Sequence, residues 1–182
     1  MIEQIKKKQI LCVVAHPDDE ALGIGGTLIK HTNCGDNVNI LILSEGEDSK
    51  IDKISKNPDR INNAKSWAHF TNCTLYKVLS FPDQKLDIVP QLELVKIIEE
   101  AILKLVPDII YTHHPGDINK DHQIAAQVTL AATRPISFHN IKPDIITFET
   151  PSSTDQGPHV EPYIYKPNFY VSLDYKILHK KL

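Results

Sequence analysis

The chain has 182 residues and a mass of 20.5 kDa, with 41% hydrophobic and 24% charged residues, a size that favours one domain burying roughly 70% of its unfolded surface. A net charge of -3 and a pI near 6.3 argue against a basic nucleic-acid platform. No apolar run approaches the roughly 20 residues of a membrane span. The early apolar run stops at Ala15, too short for a secretory signal and without a cleavage site. Cys12, Cys34 and Cys73 are odd in number and show no C-x-x-C spacing, which reads as reduced thiols of a cytoplasmic protein.

Taken in order, Gln9 to Ala15 is a continuous β-branched run, the mark of a strand buried on both faces. Residues 20 to 32 carry Leu22, Ile24, Leu28 and Ile29 and predict a helix ended by Asn33-Cys34-Gly35. Val38 to Leu43 is a second strand, followed by a polar loop from Ser44 to Asn57. Pro58 suits the first turn of a helix whose apolar positions are Ile61, Ala64, Trp67, Ala68 and Phe70. Thr74 to Phe81 is a third strand. Pro90 to Leu105 is the clearest helix, with Leu92, Val95, Ile98, Ala101, Ile102 and Leu105 on one side. Asp108 to His113 is a fourth strand, and Asp121 to Thr133 a helix with Asp121 as N-cap. Ile145 to Glu149 and Phe169 to Leu173 read as later strands, joined by a Pro- and Ser-rich loop whose aromatics favour order. The alternation predicts an α/β domain, a mostly parallel sheet with helices on both faces. Ligands of such sheets bind beyond the carboxyl ends of the strands, so residues just after 15, 43, 81 and 113 should converge.

Two clusters lie at that edge. His16-Pro17-Asp18-Asp19-Glu20 follows the first strand; His113-His114-Pro115-Gly116-Asp117-Ile118-Asn119-Lys120-Asp121-His122 follows the fourth. A catalytic zinc takes three protein ligands and keeps one position for water, whose pKa falls to about 7. His16 and Asp19, three apart on a turn, can grip one ion, and His122 can complete the set. Asp18, next to Asp19, is placed to take a proton from water. The bland alternatives are a helix N-cap for Asp18 or Asp19 and a merely hydrogen-bonded role for any single histidine. Gly23-x-Gly25-Gly26 fails as a dinucleotide fingerprint because position 28 is leucine; close backbone packing explains these glycines better. Glu45, Gly46 and Asp48 can line the pocket or form a solvated acidic loop. His139 and His179 read as surface residues, while His159 can reach the pocket from the late loop.

These residues resemble the de-N-acetylase family that includes the GlcNAc-phosphatidylinositol enzyme and the bacterial LmbE-like proteins. The likeness rests on Ala15-His16-Pro17-Asp18-Asp19-Glu20 with Leu22-Gly23-Ile24-Gly25-Gly26. Phe81-Pro82-Asp83, Leu86-Asp87 and the run from His113 to His122 extend it, so that it spans about residues 9 to 174. The resemblance implies a three-layer, Rossmann-like fold in a single domain covering 1–182. It implies hydrolysis of an acetamide on an amino sugar or sugar conjugate, with Zn2+, Fe2+ or another divalent metal held by His16, Asp19 and His122, and Asp18 as general base. In several relatives a histidine stands three residues before the last ligand; here that position is Asn119, which can donate a hydrogen bond but not a proton at neutral pH. Asp18 is therefore expected both to take and to return the proton, with His113 or His114 as the alternative donor. Asp121 is expected to cap its helix and orient a ligand. Arg60, Asp83 and His114 are candidates for substrate contact. A small-molecule N-acetyl sugar is the implied partner, with no nucleic acid, no membrane span and a homo-oligomer as an open option. Relatives run several dozen residues further, so this chain is expected to stop within a closing helix. Two other readings compete: a non-catalytic sugar- or metal-binding protein, and an iron(II) enzyme using two histidines and one carboxylate.

Overall fold

A computed structural model describes residues 6–46, 59–134 and 141–181. Its strands are β1 (Gln9–Val14), β2 (Asn37–Ser44), β3 (Thr74–Phe81), β4 (Ile109–His113) and β5 (Asp144–Phe148). Its helices are α1 (Asp19–Leu22), α2 (Gly25–Asn33), α3 (Arg60–Thr71), α4 (Gln91–Leu105), α5 (Lys120–Ala132) and α6 (Tyr175–Lys181). Short 3-10 turns occupy Leu86–Ile88 and Thr154–Gln156. The strands pair in parallel in the order β3-β2-β1-β4-β5.

The period of two along β1 sets the three layers. Leu11, Val13 and Ala15 pack with Leu94, Ile98 and Ile102 of α4 and Ala125 and Val128 of α5. Ile10, Cys12 and Val14 face the other way, onto Leu28 of α2 and Ala64 and Ala68 of α3. Both faces of β1 are thus covered, which explains its unbroken apolar run.

The strand order also locates the crevice. From β1 the chain builds outward through β2 and β3, then returns to place β4 on the other side of β1. That reversal between β1 and β4 is the topological switch point, where ligands of open α/β sheets bind. His16 follows one of these strands and His113 ends the other.

Several expectations need correction. The helix expected over 20–32 is two helices, α1 and α2, broken at Gly23-Ile24. A Cβ on Gly23 would sit 2.5 Å from the Phe148 ring, and on Gly26 2.3 Å from Leu173, so close packing does account for these glycines. Residues 169–173 form no strand; the segment crosses α2 instead, where Lys30 Nζ donates to the Ser172 carbonyl at 2.9 Å. Phe70 and Leu92 are exposed. The buried stripe of α3 runs through Ala64, Ala68 and Thr71, and that of α4 through Leu94, Val95, Ile98, Ala101 and Ile102, leaving both residues off the inward face. Asn119, not Asp121, caps α5, accepting from Asp121 N–H at 2.9 Å. Pro58, Asp48 and His139 lie outside the described residues. His159 and His179 are exposed.

Candidate metal centre

The turn after β1 folds on itself. The His16 N–H donates to Asp19 Oδ2 at 2.9 Å, and the Asp18 N–H to Glu20 Oε2 at 3.1 Å. Asp18 occupies the N-cap position of α1 at φ +108° without a side-chain cap bond. A left-handed non-glycine residue costs about 1–3 kcal/mol, and Asp18 shares this backbone region with Asp59, Asn72, Gln84, Val106 and Ser152. The helix therefore does not use this carboxylate, which is half exposed and receives Arg60 Nη2 at 2.8 Å.

Asp19 carries its two oxygens toward His16, His113 and His122. Oδ2 lies 3.4 Å from His16 Nδ1, and Oδ1 lies 3.4 Å from His122 Nε2. One donor atom from each of His16, Asp19 and His122 falls within 4.8 Å of the others, and all three side chains are buried. A separation of 3.4 Å is long for a hydrogen bond. It matches the roughly 3.4 Å edge of a tetrahedron with ligands about 2.0–2.1 Å from its centre.

The far nitrogen of each histidine meets carboxylate. His16 Nε2 is 3.1 Å from both Asp83 Oδ1 and Asp121 Oδ2. His122 Nδ1 is 3.2 Å from Asp117 Oδ2. Such partners fix the ring orientation and tautomer of metal-bound histidine and raise its basicity. The donor set therefore fits a divalent metal on chemical grounds. His16, Asp83 and Asp121 also cluster, but Asp121 already accepts the backbone N–H groups of Gln84 and Leu86 at 2.8 and 3.0 Å. That carboxylate joins the site to the chain after β3 and serves better as a brace for His16.

The electrostatics agree. Burial opposes protonation of His16, but hydrogen bonds to Asp121 and Asp19 outweigh it and lift the imidazole to about 9. Burial likewise disfavours charge on His122, and Asp117 and Asp19 reverse this, again to about 9. Asp19 sits well below the usual carboxylate range because His113, His122 and His16 overcome its burial. Asp117, also buried, is drawn down to about 2 by His122, Ser153 and Thr154. Protons on the two histidines hold the place a cation would take. Glu20 is pushed up to about 7, first by burial, with the neighbouring charges of Asp19 and Asp18 adding to it.

The other expected residues fall into two groups. Arg60 donates to the Gly46 and Pro17 carbonyls at 2.7 and 3.0 Å as well as to Asp18; it braces the turn and orients Asp18. Asp83 is buried behind His16, so the expectation of substrate contact is replaced by a supporting position. His113 is fully buried, accepts the Ala15 N–H on Nε2 at 3.1 Å and faces Thr150 Oγ1 with Nδ1 at 3.2 Å. Burial keeps it below its ordinary pKa, although Asp19 pulls the other way. The Nε2 of His113 also lies 3.4 Å from Asp19 Oδ2. His114, by contrast, is only partly buried. It lies 2.8 Å from the Tyr163 carbonyl and edge-on to Tyr165.

Glu20, Asp117, Thr150, Ser153 and Thr154 join the centre without a role that the sequence assigns to them. Asp117 had a signal, since it stands five residues before His122 in a run rich in ligand-type side chains. The three hydroxyl residues had none; nothing local distinguishes them from other loop residues.

Fold, switch point and donor set define an α/β protein with a buried two-histidine, one-carboxylate centre. The model of the PIG-L family, GlcNAc-PI de-N-acetylase, matches residues 11–133, and the chain belongs to that family. It is 29% identical over 177 residues to diacetylchitobiose deacetylase of Thermococcus kodakarensis, covering 91% of this chain and 64% of that protein. The chain thus spans less than two thirds of that relative's length. It is also 29% identical over 153 residues to the uncharacterized deacetylase YaiS of Escherichia coli, covering 81% of this chain and 77% of the relative. Among solved structures, a conserved protein of Thermus thermophilus superposes with a TM-score of 0.75 at 22% identity, over 96% of this chain and 75% of that one. The 4-carboxy-2-hydroxymuconate hydratase of Pseudomonas putida gives 0.72 at 18%, with the same two coverages. These structural likenesses establish the fold alone.

Proposed function

We propose that this protein is a divalent-metal-dependent hydrolase that removes the acetyl group from an N-acetylated amino sugar or sugar conjugate and releases acetate. The observation that carries this reading is the meeting of His16, Asp19 and His122 at metal-ligand spacing, beside a half-exposed Asp18 whose carboxylate makes no cap bond. Zn2+ is the proposed ion, with Fe2+ the other candidate; when bound it polarises the amide carbonyl and lowers the pKa of water toward neutrality.

The chain's own groups supply the proton traffic. Asp18 takes a proton from the attacking water as the new C–O bond forms. It returns that proton to the amide nitrogen as the C–N bond breaks, giving the amine and acetic acid; the acid's remaining proton passes to the released amine, leaving acetate and the ammonium form. Burial raises the pKa of Asp18 and the charge of Asp19 adds to this, while Arg60 offsets part of the rise. A carboxyl group raised toward the working pH exchanges protons more readily in both directions. Arg60 holds it in place. Asn119 has its amide oxygen occupied by the α5 cap, so it can act on substrate only as an N–H donor, consistent with stabilising an oxyanion. His114 is the proposed substrate contact. The exposed free thiol of Cys34 supports a reducing compartment, the cytoplasm.

The test is acetate release from a panel of free, nucleotide-linked and lipid-linked N-acetylhexosamines and N-acetylated oligosaccharides, with metal-free protein as control. Release from at least one substrate, abolished by chelation and restored by metal, supports the proposal. Metal-loaded protein that releases no acetate from any of them overturns it in favour of a binding role.

A further inference from the structure

The segment after β5 returns to the centre from outside the family match, which ends at residue 133. Thr150 N–H donates to Thr154 Oγ1 at 2.9 Å. With that acceptor role filled, the Thr154 hydroxyl turns its own proton onto Asp117 Oδ2 at 2.6 Å. Ser153 Oγ donates to the other oxygen, Oδ1, and lies 3.4 Å from His122 Nδ1. Asn119 N–H also donates to Oδ1, at 2.8 Å. Asp117, itself fully buried, thus receives donors on both oxygens, which fixes the plane of the carboxylate that faces His122.

The seating of this segment is tight. A Cβ on Gly116 would lie 2.0 Å from the Tyr163 carbonyl oxygen, and one on Gly157 2.8 Å from the Gly116 carbonyl oxygen. Thr150 and Thr154 are both 4% exposed, and buried hydroxyls are costly unless bonded. Both are bonded, and both toward the centre. Thr150 Oγ1 meets His113 Nδ1, and the His113 ring stacks on His122 with centroids 4.0 Å apart at 11°.

We infer that Ser153 and Thr154 are positioning residues for His122, acting through Asp117, and that Thr150 supports the same ligand through the stacked His113. The inference rests on the metal reading of His16, Asp19 and His122 but not on the substrate.

The experiment measures Zn2+ affinity of the full chain by competition with a chromophoric chelator, and the visible absorption of the Co2+-loaded protein. Thr154→Val keeps the side-chain volume and removes the hydroxyl; Ser153→Ala removes the hydroxyl oxygen at a less buried position. Each variant should bind Zn2+ about 10–100-fold more weakly and shift the Co2+ bands, with Thr154→Ser returning affinity to near the parent value. Circular dichroism of the metal-free variants separates loss of fold from loss of ligand orientation, and Ser153→Ala carries the test if Thr154→Val does not fold. Folded variants with affinities within about twofold of the parent and unshifted bands overturn the inference. A parent chain that takes up no metal overturns the metal reading and the inference together. A parent chain that binds metal but releases no acetate overturns only the deacetylase proposal, and the affinity comparison still decides this one.

Discussion

Two histidine–aspartate networks sit toward opposite ends of the sheet, and only one has the geometry of a site. Toward the amino ends, His31 Nδ1 is 2.7 Å from Asp36 Oδ2 and Nε2 is 2.9 Å from the Tyr111 hydroxyl. Both nitrogens make short, direct bonds, and among the described residues no third ligand-type side chain joins them at metal spacing. At the carboxyl ends, the near nitrogens of His16 and His122 stand 3.4 Å from Asp19 while their far nitrogens are braced by Asp121 and Asp117. The rings are held from behind and left at ligand spacing in front. Histidine and carboxylate in proximity are therefore insufficient; the direction in which the strong bonds point makes the difference.

The largest expected effect comes from removing a ligand on the functional side. His122→Ala should lower bound metal from one ion per chain to background by elemental mass spectrometry and abolish acetate release with it. Retained stoichiometric metal in that variant would break the comparison at its strongest point.

Next comes Asp18→Ala. It should keep the metal and lose turnover by about 10²–10⁴-fold, the usual worth of a general base. Near-normal turnover would assign the proton transfer elsewhere.

The third prediction concerns pH. His16 and His122 rise from an ordinary 6.5 to about 9 in the metal-free fold. Their raised pKa values contribute stability that is complete below 6.5 and lost as pH climbs through 9. Glu20, raised from 4.5 to about 7, adds a loss of the same sign at lower pH. The melting temperature of the metal-free protein should therefore fall from mildly acid pH toward 9. Metal must displace the two imidazole protons, so its apparent affinity should climb by up to about a hundredfold per pH unit below 9. Calorimetry in buffers of different ionisation enthalpy would count the released protons. A flat affinity profile would show that the braces do not protonate the empty site.

The smallest effect belongs to the other network. His31→Ala removes two hydrogen bonds and leaves the Asp36 carboxylate short of a partner, which should cost about 1–3 kcal/mol. Metal affinity should not change. A chemical denaturation curve paired with the chelator competition would show both; a change in metal affinity would mean that the two networks are coupled through β4 or α2.

Much of this was legible in the residue order. The strand positions, the parallel class and the convergence after 15, 43, 81 and 113 follow from runs of apolar residues and their punctuation. His16 indeed meets Asp83, and Gly46 meets the Arg60 that binds Asp18. Harder to read were features that need a neighbour distant in sequence. Asp83 looked like a substrate contact because it follows a strand; its place behind His16 depends on how the chain after β3 wraps Asp121. Asp121 looked like a cap because aspartate favours that position, yet Asn119 fills it and frees Asp121 to accept Gln84, Leu86 and His16. Phe169 to Leu173 has strand composition, but a strand also needs an edge to pair with, and here the segment crosses α2.

By itself, the sequence determined the layered α/β architecture and the identity of the ligand-type residues, because periodicity and motif spacing are local properties of the chain. Only the tertiary structure decided which carboxylates stand in front of the histidines and which behind. It alone joined Thr150, Ser153 and Thr154 to a centre whose last ligand-type residue, His122, lies some thirty residues earlier in the chain. Those assignments depend on hydrogen-bond directions between distant segments, and directions exist only once the chain has folded.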